Sequence, residues 1–183
     1  MRHPVPMELK RMGFRLQLKL ILRVHNPVCH FHFRWCCSFL IIYLWTLIYA
    51  HDFNAFINTF SGNQPSKDTI HRYRSTWGDD YFSFWTHGCL FIVLNSQLYE
   101  DCSLTEDLAS EQDEWLDQVL LETEKAKYTF VFQHIPWFLK TPDEDKEYFN
   151  IETGLRMKML NKFYDAGVSK IFCGHYHRNT GGL

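Results

Sequence analysis

Three histidines are the residues of this 183-residue chain whose types and spacing point to chemistry. His175 and His177 lie one residue apart in Gly174-His175-Tyr176-His177, directly after the apolar run Ile171-Phe172-Cys173. His134 follows a similar run, Tyr128-Thr129-Phe130-Val131-Phe132-Gln133. Imidazole is the commonest protein ligand for borderline divalent metals. Two imidazoles on one tight loop can face a common centre, or take one metal each of a close pair. A lone His-x-His is more often a surface pair than a site. A third imidazole reverses that balance, provided the fold sets His134 beside the loop.

The surrounding elements are suited to doing so. Both apolar runs read as buried strands, and Pro136 forbids further pairing just past His134. Between them, 153–166 reads as a helix closed by Gly167, so the two strands form a βαβ unit with 169–173 as its second strand. Upstream, 66–76 reads as a short helix with Ser66 as N-cap. Tyr81-Phe82-Ser83-Phe84-Trp85 and the run 89–96 flank the turn Thr86-His87-Gly88 as a hairpin. The second run is apolar throughout, which predicts cover on both faces. The segment 104–125 is the clearest helix: Ser103 and Glu106 have capping-box spacing, and Trp115, Leu116, Val119 and Leu120 form an apolar stripe. The acids of 141–147 read as a mobile, solvated loop. From residue 79 the order is strand, strand, helix, strand, helix, strand, the pattern of an α/β layered fold. In such folds ligands bind outside the carboxyl ends of the strands, which is where all three histidines fall.

Composition narrows the partners. The net charge of -2 hides a split, because 1–50 carries seven Lys/Arg against the single acid Glu8. The acidic remainder is a poor binder of nucleic acid, whose affinity rests on phosphate neutralisation. The aromatics of 77–85 read as core rather than as a base-stacking platform, since no basic patch accompanies them. None of the six cysteines forms Cys-x-x-Cys and a disulfide framework is not expected, so a reducing compartment is expected for 51–183. The uncharged run 35–50 is 16 residues, just under the roughly 17–25 that span a bilayer. It fits either a membrane anchor or an apolar stretch with no membrane role.

The blocks Gln133-His134-Ile135-Pro136 and Gly174-His175-Tyr176-His177 resemble the fourth and fifth signature blocks of the calcineurin-like metallophosphoesterases. Ser61-Gly62-Asn63 is similar to the start of the third block. The stretches Trp77-Gly78-Asp79-Asp80-Tyr81-Phe82-Ser83-Phe84-Trp85, 91–97, 132–136 and 174–182 resemble one subgroup, cytosolic protein serine/threonine phosphatases. The resemblance covers 61–183 and implies an α/β fold with two mixed sheets packed as a layered β-sandwich between helices. It also implies a cytoplasmic setting, two divalent metals held by Asp, His and Asn, a phosphorylated protein as substrate, and hydrolysis of a phosphate monoester by a metal-activated hydroxide. By that resemblance Asn63, His134 and His175 are ligands of the second metal, His177 is a ligand of the first, and Arg178 and Asn179 lie near the phosphate. Asn63 matches either the family's ligand or a later Gly-Asn of the subgroup.

The departures matter as much. The family opens with Asp-x-His and then Gly-Asp-x-x-Asp, and neither occurs here. His30-Phe31-His32 lacks the Asp, and Gly78-Asp79-Asp80-Tyr81-Phe82 has Phe82 where the second Asp belongs. Gln64 stands in place of the histidine that assists the leaving group. No catalytic side chain is therefore assigned. The expectation is a partial phosphoesterase domain over 61–183, incomplete at both ends, behind an atypical basic and apolar segment 1–60. It should bind at most one metal, weakly, and have little activity. The competing reading is a non-catalytic remnant or interaction protein, or a fragment tethered to a membrane through 35–50.

Overall fold

The computed structural model describes residues 64–178 and Thr180. The segment 1–60, the apolar run 35–50, Asn63 and Asn179 lie outside the described residues. Helix α1 (Lys67–Trp77) starts at the expected cap. The Ser66 hydroxyl accepts the Thr69 N–H at 3.3 Å and the Thr69 hydroxyl accepts the Ser66 N–H at 2.9 Å, a reciprocal box built with Thr in place of Glu. Strands β1 (Phe82–Thr86) and β2 (Cys89–Val93) pair antiparallel, with Thr86 opposite Cys89. Only His87 and Gly88 form the turn, both left-handed (φ 52° and 76°), so it is one residue tighter than the expected Thr86-His87-Gly88 connection. Two positive φ values match the right-handed twist of the strands they join.

After β2 come α2 (Gln97–Glu100), α3 (Glu106–Leu120), a 3-10 turn (Thr123–Lys125), β3 (Tyr128–Gln133), α4 (Thr153–Asp165) and β4 (Lys170–Cys173). The sheet order is β1-β2-β3-β4, and β2, β3 and β4 run parallel. This is a mixed α/β fold with a four-stranded mixed sheet flanked by helices. Leu90, Ile92, Leu94 and Val131 pack on one face with Leu116 and Leu120 of α3 and Met159 and Phe163 of α4. The opposite face is aromatic: Phe91 and Phe132 are fully buried and Phe82, Phe84, Phe130 and Phe172 pack against them. Phe84 stacks on Phe91 at 5.0 Å between centroids, and Phe132 on Phe172 at 5.0 Å. Every residue of β2 is buried, as its unbroken apolar run predicts. Among the described residues no helix is long and apolar enough to cross a membrane.

Several expectations are corrected. The long helix begins at Glu106 with Thr105 at its N-cap, and no side chain caps it. Ser103 is held elsewhere: its hydroxyl and its N–H both donate to Asp101 Oδ1, at 2.6 Å and 3.0 Å. This Asx turn competes for the group the capping box needs. The helix also ends at Leu120, before the 3-10 turn. Trp77 and Trp85 are surface residues rather than core. Among the described strands β1 lies at the edge, and alternation turns Phe82 and Phe84 toward the aromatic face while Trp85 points the other way.

Candidate functional site

Because β2, β3 and β4 are parallel, their carboxyl ends share one edge of the sheet. Asn95-Ser96, His134 and His175 all emerge there. β3 and β4 stay paired to their last residues, and the Gly174 N–H then donates to the His134 carbonyl at 3.0 Å. The Ile135 N–H donates to the Ser96 hydroxyl at 2.9 Å, fixing the chain on the other side of His134. The loop beyond β4 is compact. Tyr176 N–H closes onto the Gly174 carbonyl at 2.7 Å, and His175 and His177 both take left-handed backbone (φ 63° and 55°). Side-chain-bearing residues rarely adopt that conformation.

Of the residues singled out by sequence, His134 and His175 meet. His134 Nε2 and His175 Nδ1 lie 3.1 Å apart, with the rings edge to face at 4.9 Å. His134 is buried and His175 half-buried. Desolvation lowers the His175 pKa from its ordinary value, outweighing a backbone bond at Tyr148 and the charge of Glu100, which act the other way. Burial thus favours the neutral imidazole, the form that ligates metals. His177 and Arg178 are exposed, and the Arg178 guanidinium lies over the Tyr176 ring at 5.7 Å.

Two nitrogens each about 2.0–2.1 Å from one cation stand roughly 3 Å apart, so the His134–His175 separation suits a shared metal. The donor set does not go further. Among the described residues no three His, Cys, Asp or Glu side chains come together in a metal-sized group. Burial pushes the thiol of the neighbouring Cys173 up to about 12, and its sulfur belongs to no such group. The Glu100 carboxylate is engaged by Lys146 at 2.6 and 2.7 Å. The described residues therefore fit two ligands of a metal site and not a complete one.

The connection from His134 to α4 borders the pair and has neither helix nor strand. Its acids Asp143, Asp145 and Glu147 are exposed, as expected, and Glu144 is the exception. Glu144 accepts backbone N–H bonds from Leu139 (2.7 Å), Lys140 (2.8 Å) and Thr141 (3.2 Å), and an amide bond from Asn150 (2.8 Å). Partial desolvation pushes its pKa up, and these bonds outweigh it, bringing the carboxyl from 4.5 down to about 2. A carboxylate depressed in this way contributes stability that is fully present above its ordinary range and is lost as pH falls toward about 2. Between pH 5 and 2, urea unfolding of the wild type should lose about 1–2 kcal/mol more than unfolding of Glu144→Gln, a figure reduced for solvent screening. Equal slopes for the two proteins would contradict this role.

The loop ends in an aromatic group. Tyr148 and Phe149 lie 5.3 and 5.4 Å from the His175 ring, and Phe149 lies 5.2 Å from Tyr176. The Thr180 hydroxyl ties the chain end back to the Leu139 carbonyl.

Sequence reasoning missed the polar hub that supports this edge. Asn95 exchanges two bonds with Gln112 of α3: its N–H donates to Gln112 Oε1 at 2.8 Å, and Gln112 Nε2 donates to its carbonyl at 3.2 Å. Its side-chain amide donates to Asp80 at 2.8 Å, and Asp80 also accepts from Arg74 at 2.5 Å. Asp80 is thus a buried structural carboxylate. The signal available was Asn95-Ser96-Gln97, a polar run placed directly after a wholly apolar strand.

No protein-family model matches the chain. Curated relatives do. A serine/threonine-protein phosphatase CPPED1 from Rattus norvegicus is 50% identical over 123 residues, which is 66% of this chain and 39% of that protein. The Homo sapiens protein of the same name is 50% identical over 124 residues, 66% of this chain and 40% of its own. The Danio rerio protein is 47% identical over 124 residues, with the same shares. The chain spans about two fifths of the length of the curated relatives it matches. Identity of this level across two thirds of the chain makes it a partial homologue of these calcineurin-like phosphoesterase domain-containing proteins.

Proposed function

We propose that this chain carries part of a divalent-metal-dependent phosphomonoesterase site acting on phosphoserine or phosphothreonine in proteins. The observation that supports it most is the 3.1 Å approach of His134 and His175 at the shared carboxyl edge of three parallel strands. In this reading those imidazoles, with Asn63, hold one metal, His177 belongs to the other, and Arg178 and Asn179 face the phosphate. The four-stranded sheet is one half of the family's layered β-sandwich, within a partial domain over 61–183. The free thiols Cys89, Cys102 and Cys173 fit a reducing compartment such as the cytoplasm. A bound divalent pair would polarise the phosphate ester and supply the attacking hydroxide.

The chain's own residues favour weak loading. Two neutral imidazoles provide no charge to offset a divalent cation, and missing ligands lower affinity steeply. The purified full chain should hold at most one metal per molecule by elemental analysis, and p-nitrophenyl phosphate turnover should stay near background. His134→Ala should remove the metal that is held. Two tightly bound metals with rapid turnover would overturn the expectation of low activity. Metal binding untouched by His134→Ala would overturn the site itself. A second reading, a non-catalytic binding domain, is favoured by the lack of a three-ligand cluster among the described residues.

A further inference from the structure

The connection between β3 and α4 is long, irregular and yet fully tied down. Long connections without secondary structure are uncommon in compact domains and are usually functional when ordered. Glu144 pins one end of this one through Leu139, Lys140 and Thr141. Asn150 braces the other, accepting the Glu147 N–H at 2.7 Å and donating to the Asp145 carbonyl at 2.9 Å. Underneath, the fully buried Arg156 donates to the carbonyls of Pro142, Glu144 and Ile151. All this order ends in Tyr148, a ring left 67% exposed that faces His175 at 5.3 Å and 31°. Its neighbour Phe149 is half-buried and wedges between His175 and Tyr176. Phe149 is partly covered by these rings, whereas Tyr148 leaves most of its own ring to solvent. A rigidly held, solvent-facing tyrosine offers contact area at little entropic cost, which is why tyrosine is enriched in recognition surfaces.

We infer that Tyr148 is a specificity-determining residue. Its ring is the wall against which the residue next to a phosphorylated serine or threonine packs when the phosphate sits at the His134–His175 pair. The inference rests on the functional reading above and deepens it: the ligand is a phosphopeptide read on both sides of its phosphate, not a free phosphate. Tyr148 does not touch the phosphate, so its effect is confined to the flanking residue.

The test measures binding to the full chain in excess Mn2+, by titration calorimetry, with two probes: inorganic phosphate and a phosphoserine peptide carrying a leucine beside the phosphoserine. Wild type and Tyr148→Phe should bind the peptide alike. Tyr148→Ala should bind it about tenfold more weakly, as expected for loss of one aromatic contact, with phosphate affinity unchanged. Peptide affinity equal in Tyr148→Ala and wild type would overturn the inference alone. So would equal loss for both probes, which marks a merely structural ring. A wild type that binds neither probe would overturn the functional reading, and the inference with it.

Discussion

Arg156→Ala is expected to destabilise the protein by about 3–5 kcal/mol, seen as a lower urea midpoint. Arg156 is fully buried with no carboxylate partner in hydrogen-bond reach among the described residues; its guanidinium is satisfied by carbonyls. Nε and Nη2 both donate to Ile151, at 3.1 and 2.7 Å, and Nη1 donates to Pro142 at 3.0 Å and Glu144 at 2.6 Å. Truncation leaves those acceptors without a donor and opens a cavity beneath the loop. Each unsatisfied buried acceptor costs about 1–3 kcal/mol, and the Pro142 and Glu144 carbonyls recover part of that from water. The loss should be largest locally, so amide exchange and proteolysis between 139 and 152 should accelerate more than in the β2–β3 core. A variant within 1 kcal/mol of wild type (roughly the cost of an ordinary surface change) would show that the loop does not depend on this side chain.

Gln112→Leu should cost about 2–4 kcal/mol, although it adds apolar volume to a helix face that already carries Leu116 and Leu120. The reason lies at Asn95. Its N–H and carbonyl both leave the sheet where β2 ends, and both are satisfied by the Gln112 amide at 2.8 and 3.2 Å. Leucine fits the space and satisfies neither group. Asn95 is almost fully buried, so water is a poor substitute. Chemical denaturation should show a lower midpoint with an unchanged slope, since the surface exposed on unfolding stays the same. Because Ser96 follows directly and holds the Ile135 N–H, the His134 imidazole resonances should shift as well. A stability equal to wild type would show that Asn95 finds other partners.

How far the sequence could be read follows from which forces are local. The βαβ unit carrying His134 and His175 was predictable, because apolar runs, Pro136 and Gly167 act within a few residues. The meeting of the two imidazoles followed from the parallel order of their strands. Ser103 misled, because the competing acceptor Asp101 lies two residues back and outweighs a helix start three residues ahead. Glu144 misled in a different way. A charged residue in a polar stretch is usually solvated, and only tertiary packing made this one, together with the buried Arg156, the frame of a loop. Gln112 could not be found by periodicity at all, since its partner Asn95 is distant in sequence and bonds through its backbone. Asn63 and Asn179 lie outside the described residues.

The left-handed backbone at His175 and His177 has a consequence for how this loop tolerates change. A side-chain-bearing residue in that region costs roughly 1 kcal/mol relative to glycine, so the loop sits about 2 kcal/mol above what its own chain path favours. Selection for stability alone would drift both positions toward glycine. Histidine at both positions carries that cost, so glycine at either should firm the loop while removing one of its imidazoles.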